Sequence, residues 1–293
     1  MDFVNKFEVY LDKEKKVSAT TLSAYMSDIQ DFQLFLQGRG KLLEKAGNAD
    51  VAAYLMALTH EGRSNSTINR KLSSIRSFYQ FMRADGRMTQ DPTFNIKSPK
   101  VVRKDVEYLT VEEMNRLLDA PDDSIRGLRD KALFELMYAT GLRATEICRL
   151  RLADINFRIG FVNVDSDKKP RVVPIGRPAR AALKAYIERS RKQLLGDKED
   201  DGILFLSYLG DILTRQGIWK ILRFYEEKTE LDGKLSPQII RNTFAAHMIQ
   251  NGADLKSLQE LLGHEDIMAT KIYLSVSKNR IMDVYDRAFP RAK

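Results

Sequence analysis

Residues 236–248 read S-P-Q-I-I-R-N-T-F-A-A-H-M, and they predict a helix that buries most of its surface. Ser236 can cap the helix with its hydroxyl, and Pro237 fits the first helical position because its missing N–H needs no partner there. Apolar residues cover most of this helix, yet Arg241 lies among them beside Gln238, three residues earlier. Because a charged group at the edge of a buried surface is costly without a partner, Arg241 is a candidate functional residue.

The composition favours a polyanionic partner. The 293 residues include 48 Lys and Arg against 40 Asp and Glu, which gives a net charge of +8. A basic balance suits nucleic acid first and an anionic membrane surface second. The charge alone does not decide between them.

Cysteine content and apolar runs indicate where the chain acts. Its single cysteine, Cys148, excludes an intramolecular disulfide and a multi-cysteine zinc site, as expected in a reducing compartment. Apolar runs fall short of the roughly 18 residues that cross a membrane, and the first residues do not form a signal peptide. We therefore predict a cytoplasmic protein with no membrane partner.

Helical periodicity and its interruptions predict two domains. Apolar residues recur every three or four positions through the first hundred residues, which indicates helices throughout. Asp91-Pro92 and Ser98-Pro99 break that pattern, and a polar, basic stretch at about 97–107 is typical of a linker. We place the domain boundary within this linker. Residues 1–105 form the first predicted domain, which is all helical, and residues 106–293 form the second.

One helix of the first domain has a polar face without acidic residues. It is predicted to begin at Ser66 and to turn Ile68, Leu72 and Ile75 inward. The opposite face then carries Asn69, Arg70 and Arg76. Such a face can contact either phosphates or base edges, so these three residues are candidate DNA contacts.

The periodicity changes in the second domain, after a helix that stops at Thr140-Gly141. Residues 161–164 and 171–175 are short strand-like runs, and the intervening loop carries Lys168 and Lys169. This pattern predicts a β-hairpin with lysines near its tip. The fold class is therefore mainly α with a small β-sheet.

Four polar features interrupt the second domain. Arg143 follows the Gly141 turn, and we predict that it shares a helical side with Glu146. Lys168 and Lys169 lie on the hairpin, and Arg241 lies beside Gln238. His264 follows a glycine helix stop, and Tyr273 is nine residues further on, in a predicted helix. Each feature alone has an ordinary structural interpretation, such as a local ion pair or a half-buried tyrosine. Their combination points to a site.

Two segments, A-T-G-L-R-A-T-E-I and N-G-A-D-L-K-S-L-Q-E-L-L-G-H, together with Tyr273, resemble the tyrosine recombinase (integrase) family, and in particular its Xer-like branch. The likeness covers nearly the whole chain, since the N-terminal helices resemble the family's SAM-like core-binding domain. The resemblance implies an N-terminal helical domain followed by an α+β catalytic domain. It also implies a C-terminal tail helix at about 278–289 that docks on a neighbouring protomer.

That resemblance implies site-specific DNA strand exchange on double-stranded DNA with a specific core site. Tyr273 would attack the scissile phosphate and form a 3′-phosphotyrosyl link. His264 would hydrogen-bond the phosphate, a hairpin lysine would protonate the leaving 5′-oxygen, and Glu146 would orient Arg143. Four protomers, as a homotetramer or a heterotetramer with a paralogue, would exchange strands. No cofactor and no metal are implied.

Elementary chemistry supports the same roles. A pentavalent phosphorane carries negative charge on its nonbridging oxygens, and the guanidinium groups of Arg143 and Arg241 can each bind them through two N–H groups. A phenol with a pKa of about 10 is a weak nucleophile at neutral pH, so Tyr273 requires a cationic site and a proton acceptor.

The chain departs from the family pattern at two places. Gln238 stands where an H-x-x-R arrangement usually has histidine, and Asn242 stands where a second histidine is common. Glutamine can donate a hydrogen bond to phosphate but cannot shuttle a proton. The hairpin loop offers both Lys168 and Lys169, and we favour Lys168 as the general acid.

The target and the biological setting stay open at this level. The segment T-R-Q-G-I-W-K resembles a family segment near DNA, which makes Arg215 and Gln216 candidate contacts. The alternatives to an Xer-like enzyme are a mobile-element integrase, a cleavage-impaired DNA-binding member of the family, and a type IB topoisomerase-like nicking enzyme.

Overall fold

The computed structural model describes residues 3–101, 105–165, 170–231, 233–263 and 269–273. The chain forms two compact units, Met1–Lys104 and Asp105–Lys293, each of which makes most of its contacts within itself. Among the described residues, none of the helices combines the length and the apolar character that a membrane span requires.

Helices build the first unit: α1 (Phe3–Val9, continued by a π turn at Tyr10–Glu14), α2 (Ala19–Gln37), α3 (Asn48–His60) and α4 (Asn65–Ala84). Ser18 caps α2 by accepting a hydrogen bond from the Thr21 amide. Helix α4 was predicted to begin at Ser66 but begins at Asn65. Ser64 is its N-cap, and the Ser64 hydroxyl accepts a hydrogen bond from the Thr67 amide. The core is aromatic and aliphatic, and its fully enclosed members include Phe7, Ile29, Phe32, Leu72, Ile75, Phe78 and Tyr79.

A buried carboxylate joins α2 to α4 in this unit. Asp28 is almost fully enclosed and accepts hydrogen bonds from Arg70, Lys71 and the Ser74 hydroxyl. Lys71 also binds Asp31. Because a buried ion is costly unless it is paired and hydrogen-bonded, this cluster fixes how the two helices pack.

The second unit is mainly helical with one small sheet. Its helices are α5 (Val111–Asp119), α6 (Ile125–Thr140), α7 (Ala144–Arg149), α8 (Arg177–Tyr186), α9 (Lys192–Leu195), α10 (Arg215–Lys228), α11 (Pro237–Gln250) and α12 (Leu255–Leu262). Its strands are β1 (Ile155–Asn156), β2 (Phe161–Val164) and β3 (Arg171–Pro174) in the antiparallel order β1-β2-β3. The predicted hairpin is confirmed, whereas β1 is too short to show an alternating pattern.

Helix α6 lies at the centre of the second unit and brings the chain to the site. Ser124 caps its start, and its end is closed by Gly141, which has φ of 60° in the left-handed region. A Cβ on Gly141 would lie 2.4 Å from the Phe244 ring on α11. Glycine is therefore required by both backbone conformation and space, and the tight approach sets Arg143 next to α11.

Candidate active site

Arg143 occupies the N-cap of α7 and not its interior. Its backbone is extended, with φ of −70° and ψ of 148°, and its N–H donates to Glu146 Oε2 at 2.7 Å. Arg143 Nη1 donates to Glu146 Oε1 at 3.2 Å. The two side chains therefore meet, as their three-residue spacing predicts, although Arg143 precedes the helix and Glu146 reaches back to cap the turn that Arg143 begins. The Arg143 side chain stays 41% exposed.

A second arginine, which was not among the predicted site residues, binds the same carboxylate. Arg171 on β3 donates from Nη1 to Glu146 Oε1 at 2.8 Å and from Nη2 to Oε2 at 3.1 Å. Its Nε also donates to the Leu261 carbonyl at 2.8 Å. Only 7% of the Arg171 side chain is exposed. Arg171 and Val173 share the inward face of β3, and a charge on that face was the available signal.

The carboxylate of Glu146 is ionised between these two arginines. Burial raises the pKa of Glu146, but hydrogen bonds from Arg171 and from the Arg143 amide, with their positive charges, outweigh it and leave the pKa below its ordinary value. Because Arg171 is buried and bound through two N–H groups, it neutralises Glu146 locally. Arg143 makes only long contacts with the Leu262 and Gly263 carbonyls, at 3.4 Å and 3.5 Å, and its partly exposed side chain can then bind another anion.

Arg241 is buried on α11, with 4% of its surface exposed. Its Nη1 donates to the Gly141 carbonyl at 2.6 Å and its Nη2 to the Leu262 carbonyl at 2.7 Å. Both carbonyls lie at C-terminal helix ends, where the helix dipole favours a cation. Burial, and then the charge of Arg143, lower the pKa of Arg241 to about 10, so it remains protonated at neutral pH.

Tyr273 lies against α11 in a 3₁₀ turn, Lys271–Tyr273, where the sequence predicted a helix. It is 1% exposed and packs with Phe244, Leu258 and Leu262. Its hydroxyl donates to Asn242 Oδ1 at 3.0 Å. Burial raises the pKa of Tyr273, although the charges of Arg241 and Arg143 oppose the rise. The phenol is therefore neutral at neutral pH.

Two amide side chains of α11 are hydrogen-bonded to each other beside this tyrosine. Gln238 Nε2 donates to Asn242 Oδ1 at 2.8 Å, and Asn242 Nδ2 donates to the Glu107 carbonyl at 3.0 Å. In this structure the amide nitrogen of Gln238 binds Asn242. The predicted role of Gln238 as a phosphate ligand stays a prediction.

The site therefore brings together four of the predicted residues, Tyr273, Arg143, Arg241 and Glu146, with Gln238 at its rim. Lys168, Lys169 and His264 lie outside the described residues, as does the predicted tail helix at about 278–289. Within the described ranges, the structure contains no cluster of three or more His, Cys, Asp or Glu side chains that could hold a metal ion.

The predicted DNA-contact face of α4 has partners within its own unit. Asn69 Nδ2 donates to the Pro99 carbonyl at 2.9 Å, and Arg76 Nη1 donates to Ser98 Oγ at 3.1 Å. Arg70 pairs with Asp28 but keeps 45% of its side chain exposed. Arg215 and Gln216 lie exposed in the first turn of α10. All five stay predictions as DNA contacts.

Comparison with known proteins gives consistent matches along the chain. The phage integrase family model matches residues 107–280, and the phage integrase N-terminal SAM-like domain model matches residues 4–86. The chain is 36% identical to tyrosine recombinase XerD of Listeria innocua over 99% of each chain. It is 40% identical to tyrosine recombinase XerC of Halalkalibacterium halodurans, over 99% of this chain and 98% of that one.

A solved structure of the XerH site-specific recombinase has the same fold. It superposes with a TM-score of 0.77 at 19% identity, over 97% of this chain and 84% of that chain. The family models, the full-length relatives and this shared fold agree, and the residues assembled around Tyr273 lie within the matched region. The chain belongs to the phage integrase family and is a tyrosine recombinase of the Xer-like branch.

Proposed function

We propose that this protein recombines double-stranded DNA at a specific core site through a 3′-phosphotyrosyl intermediate formed on Tyr273. The observation that carries the proposal is the placement of one buried phenol hydroxyl, that of Tyr273, against α11, whose Arg241 reaches the Gly141 turn that precedes Arg143. Cationic groups beside a phenol favour its attack on a phosphodiester, because the transition state gathers negative charge.

In the proposed cleavage step, the Tyr273 oxygen forms a bond to phosphorus while the bond from phosphorus to the 5′-oxygen breaks. The phenol loses its proton, and the departing 5′-oxygen gains one. The phosphodiester is exchanged for a phosphotyrosyl ester, so the step requires neither an oxidant nor a nucleotide cofactor. Attack by the 5′-hydroxyl of a second strand reverses these bond changes and rejoins the DNA.

The arginine cluster supplies charge without proton transfer. Arg143, Arg171 and Arg241 carry three positive charges, and Glu146 balances one of them. Guanidinium groups stay protonated at neutral pH and match phosphate oxygens geometrically. In our proposal, Arg143 binds a nonbridging oxygen through its exposed side, and Arg241 binds another when DNA enters.

Several features support a DNA partner and an Xer-like assembly. The net charge of +8 suits a polyanion. The XerH structure is described as a post-cleavage complex with its palindromic difH substrate. We propose that four protomers act on DNA in the cytoplasm, either as a homotetramer or with a paralogue. Identities to XerC-named and XerD-named relatives are similar, at 40% and 36%, and do not favour one partner arrangement.

The proposed function is tested by trapping the covalent intermediate. The wild-type protein is incubated with nicked, fragmented genomic DNA and denatured in SDS, and any DNA that remains attached to protein is sequenced. Where a nick lies close to the cleaved bond, the fragment that carries the released 5′-hydroxyl is short and diffuses away. Rejoining is then prevented, and the adduct accumulates. We expect adducts that share one core sequence. Tight DNA binding without any adduct would contradict cleavage and favour a cleavage-impaired DNA-binding protein.

Removing Arg171 is expected to slow cleavage through its effect on Arg143. In Arg171→Ala, Glu146 loses its buried partner and draws Arg143 away from phosphate. We expect the rate of adduct formation to fall about 10- to 100-fold, in the range of a lost charge-assisted contact, with a smaller change in DNA affinity. Single-turnover rates at saturating protein, with binding measured separately, check this.

A double variant separates positioning from simple destabilisation. In Arg171→Ala/Glu146→Gln, the carboxylate that captures Arg143 is absent, so part of the lost rate should return. Arg180→Ala is the matched control, because Arg180 also bonds a backbone carbonyl in this unit, that of Phe157 at 3.3 Å, away from the site. A double variant as slow as or slower than Arg171→Ala would refute this role of Arg171.

A further inference from the structure

The Asn242 amide is fixed from both of its ends. Nδ2 donates to the Glu107 carbonyl at 3.0 Å, so the nitrogen must face Glu107, since a carbonyl accepts only. Oδ1 therefore faces the other way, where it accepts from Gln238 Nε2 at 2.8 Å and from the Tyr273 hydroxyl at 3.0 Å. This pattern assigns the amide orientation without ambiguity.

Water cannot easily replace the hydrogen bond between Tyr273 and Asn242. Asn242 is 8% exposed and Tyr273 is 1% exposed. A buried hydroxyl that loses its acceptor stays unpaired, which costs more than the loss of an exposed hydrogen bond. The contact between Asn242 and Tyr273 therefore restricts the direction in which the phenol proton points.

The direction of that proton matters for nucleophilic attack. A phenol has one proton and two lone pairs, and a lone pair must face phosphorus while the proton points elsewhere. Asn242 Oδ1 holds the proton toward α11. The lone pairs of the Tyr273 oxygen then point away from Asn242 Oδ1 and are left for phosphorus.

We infer that Asn242 is a positioning residue for the nucleophile Tyr273, and that Gln238 acts through Asn242 by holding its amide oxygen in place. The inference rests on the proposed function. A neutral amide oxygen accepts a hydrogen bond but is far too weakly basic to take the proton. Asn242 therefore orients the phenol, and the proton leaves to another acceptor when attack occurs.

The two amides should contribute unequally. Asn242 is enclosed and contacts the phenol directly, whereas Gln238 is exposed and contacts only Asn242. Water can take the place of the Gln238 amide nitrogen, but not that of Asn242 Oδ1. Replacing Asn242 is therefore expected to slow cleavage more than replacing Gln238.

A mutant cycle on cleavage rate tests this order. Asn242→Leu keeps the approximate volume and removes both polar atoms, and Gln238→Leu removes the support. We expect adduct formation to fall about 10-fold and about threefold, respectively, with DNA affinity within about twofold of wild type, as for a contact that matters in the transition state. Because Gln238 acts through Asn242, the double variant should be no slower than Asn242→Leu.

Substitution by histidine provides a readout that a purely structural role would not change. In Asn242→His, a neutral imidazole can accept a hydrogen bond from the Tyr273 hydroxyl, but an imidazolium cannot. The cleavage rate of this variant should therefore fall as the pH drops through the imidazole pKa, and the wild-type rate should show no inflection from this position. A profile parallel to that of wild type, or an Asn242→Leu variant that cleaves as fast as wild type, would overturn the inference.

A measurement on the free protein keeps this test separate from the proposed function. With ¹³C label at the ring carbon that bears the hydroxyl, the NMR signal of Tyr273 reports its hydrogen bond without DNA. We expect Asn242→Leu to shift that signal and Gln238→Leu to shift it less. An unchanged signal would overturn the contact itself, whereas a shifted signal with no adduct from wild type would overturn the proposed function and leave the contact intact.

Discussion

Tyr273→Phe is expected to abolish the covalent adduct while DNA binding persists. The change removes one oxygen, which is the atom proposed to bond to phosphorus, and a phenyl ring has no replacement nucleophile. The adduct should fall at least about 10³-fold, to the detection limit, because covalent catalysis fails without its nucleophile. Gel analysis after SDS denaturation measures the adduct, and a binding assay on the same DNA measures affinity.

Packing around Tyr273 explains why binding should survive. The ring lies among Phe244, Leu258 and Leu262, and phenylalanine keeps those contacts. The only hydrogen bond recorded for the hydroxyl among the described residues is the one to Asn242. Losing a neutral hydrogen bond costs about 1 kcal/mol, which the fold should tolerate.

Tyr186→Phe is the matched control for this experiment. Tyr186 is as deeply buried as Tyr273, and its hydroxyl donates to the Leu204 carbonyl at 3.1 Å, in the core of the same unit and outside the site. This variant should be destabilised at least as much as Tyr273→Phe and still form the adduct. A Tyr273→Phe protein that retains wild-type adduct levels would show that another residue is the nucleophile.

Local sequence signals explain which parts of the fold and the site were predictable. Caps depend on residues three positions apart, so Ser236 could be recognised directly as the cap of α11, where its hydroxyl accepts a hydrogen bond from the Ile239 amide. The Gly141 helix stop was recognisable for the same reason. Arg143, Arg241 and Tyr273 could be selected because they occur together in one domain and the segments around Arg143 and Tyr273 resemble the tyrosine recombinase family.

Contacts between distant segments could not be read from the sequence. Arg171 and Glu146 are 25 residues apart, and Asn242 meets Tyr273 and Glu107 across 31 and 135 residues. Their pairing depends on how β3, α7 and α11 pack, which no local pattern specifies. Asp28 shows the same limit, because its buried partners lie on another helix.

The polar face of α4 was predicted to contact DNA, but several of its side chains have hydrogen-bond partners elsewhere in the same unit. The face has no acid of its own, but Asn69 and Arg76 donate hydrogen bonds to residues 96–99, most of which lie in the predicted linker. Hydrogen bonds to backbone carbonyls leave no trace in the amino-acid pattern. A basic helix face therefore predicts an anionic ligand less strongly than its charge suggests.

Arg241→Lys is the second change from which we expect a large loss of cleavage. Lysine keeps the charge but replaces a planar fork with one ammonium group. The Arg241 nitrogens reach the Gly141 and Leu262 carbonyls, which belong to the ends of two different helices. One ammonium cannot hold both carbonyls and also bind phosphate in the same geometry, so we expect the cleavage rate to fall about 10²- to 10³-fold, as when a preorganised donor is removed.

Arg191→Lys separates this loss from general damage to the fold. Arg191 is also buried, and its guanidinium binds the Ile203 carbonyl at 2.6 Å and Asp200 at 2.6 Å and 2.7 Å. Both substitutions should lower the free energy of unfolding by about 1–3 kcal/mol, because each leaves a buried acceptor unpaired. Only Arg241→Lys should lose cleavage out of proportion to stability. If both variants lost cleavage equally, the role of Arg241 would be structural, to hold α6, α11 and α12 together. Arg143 would then be the principal ligand of the charge in the transition state.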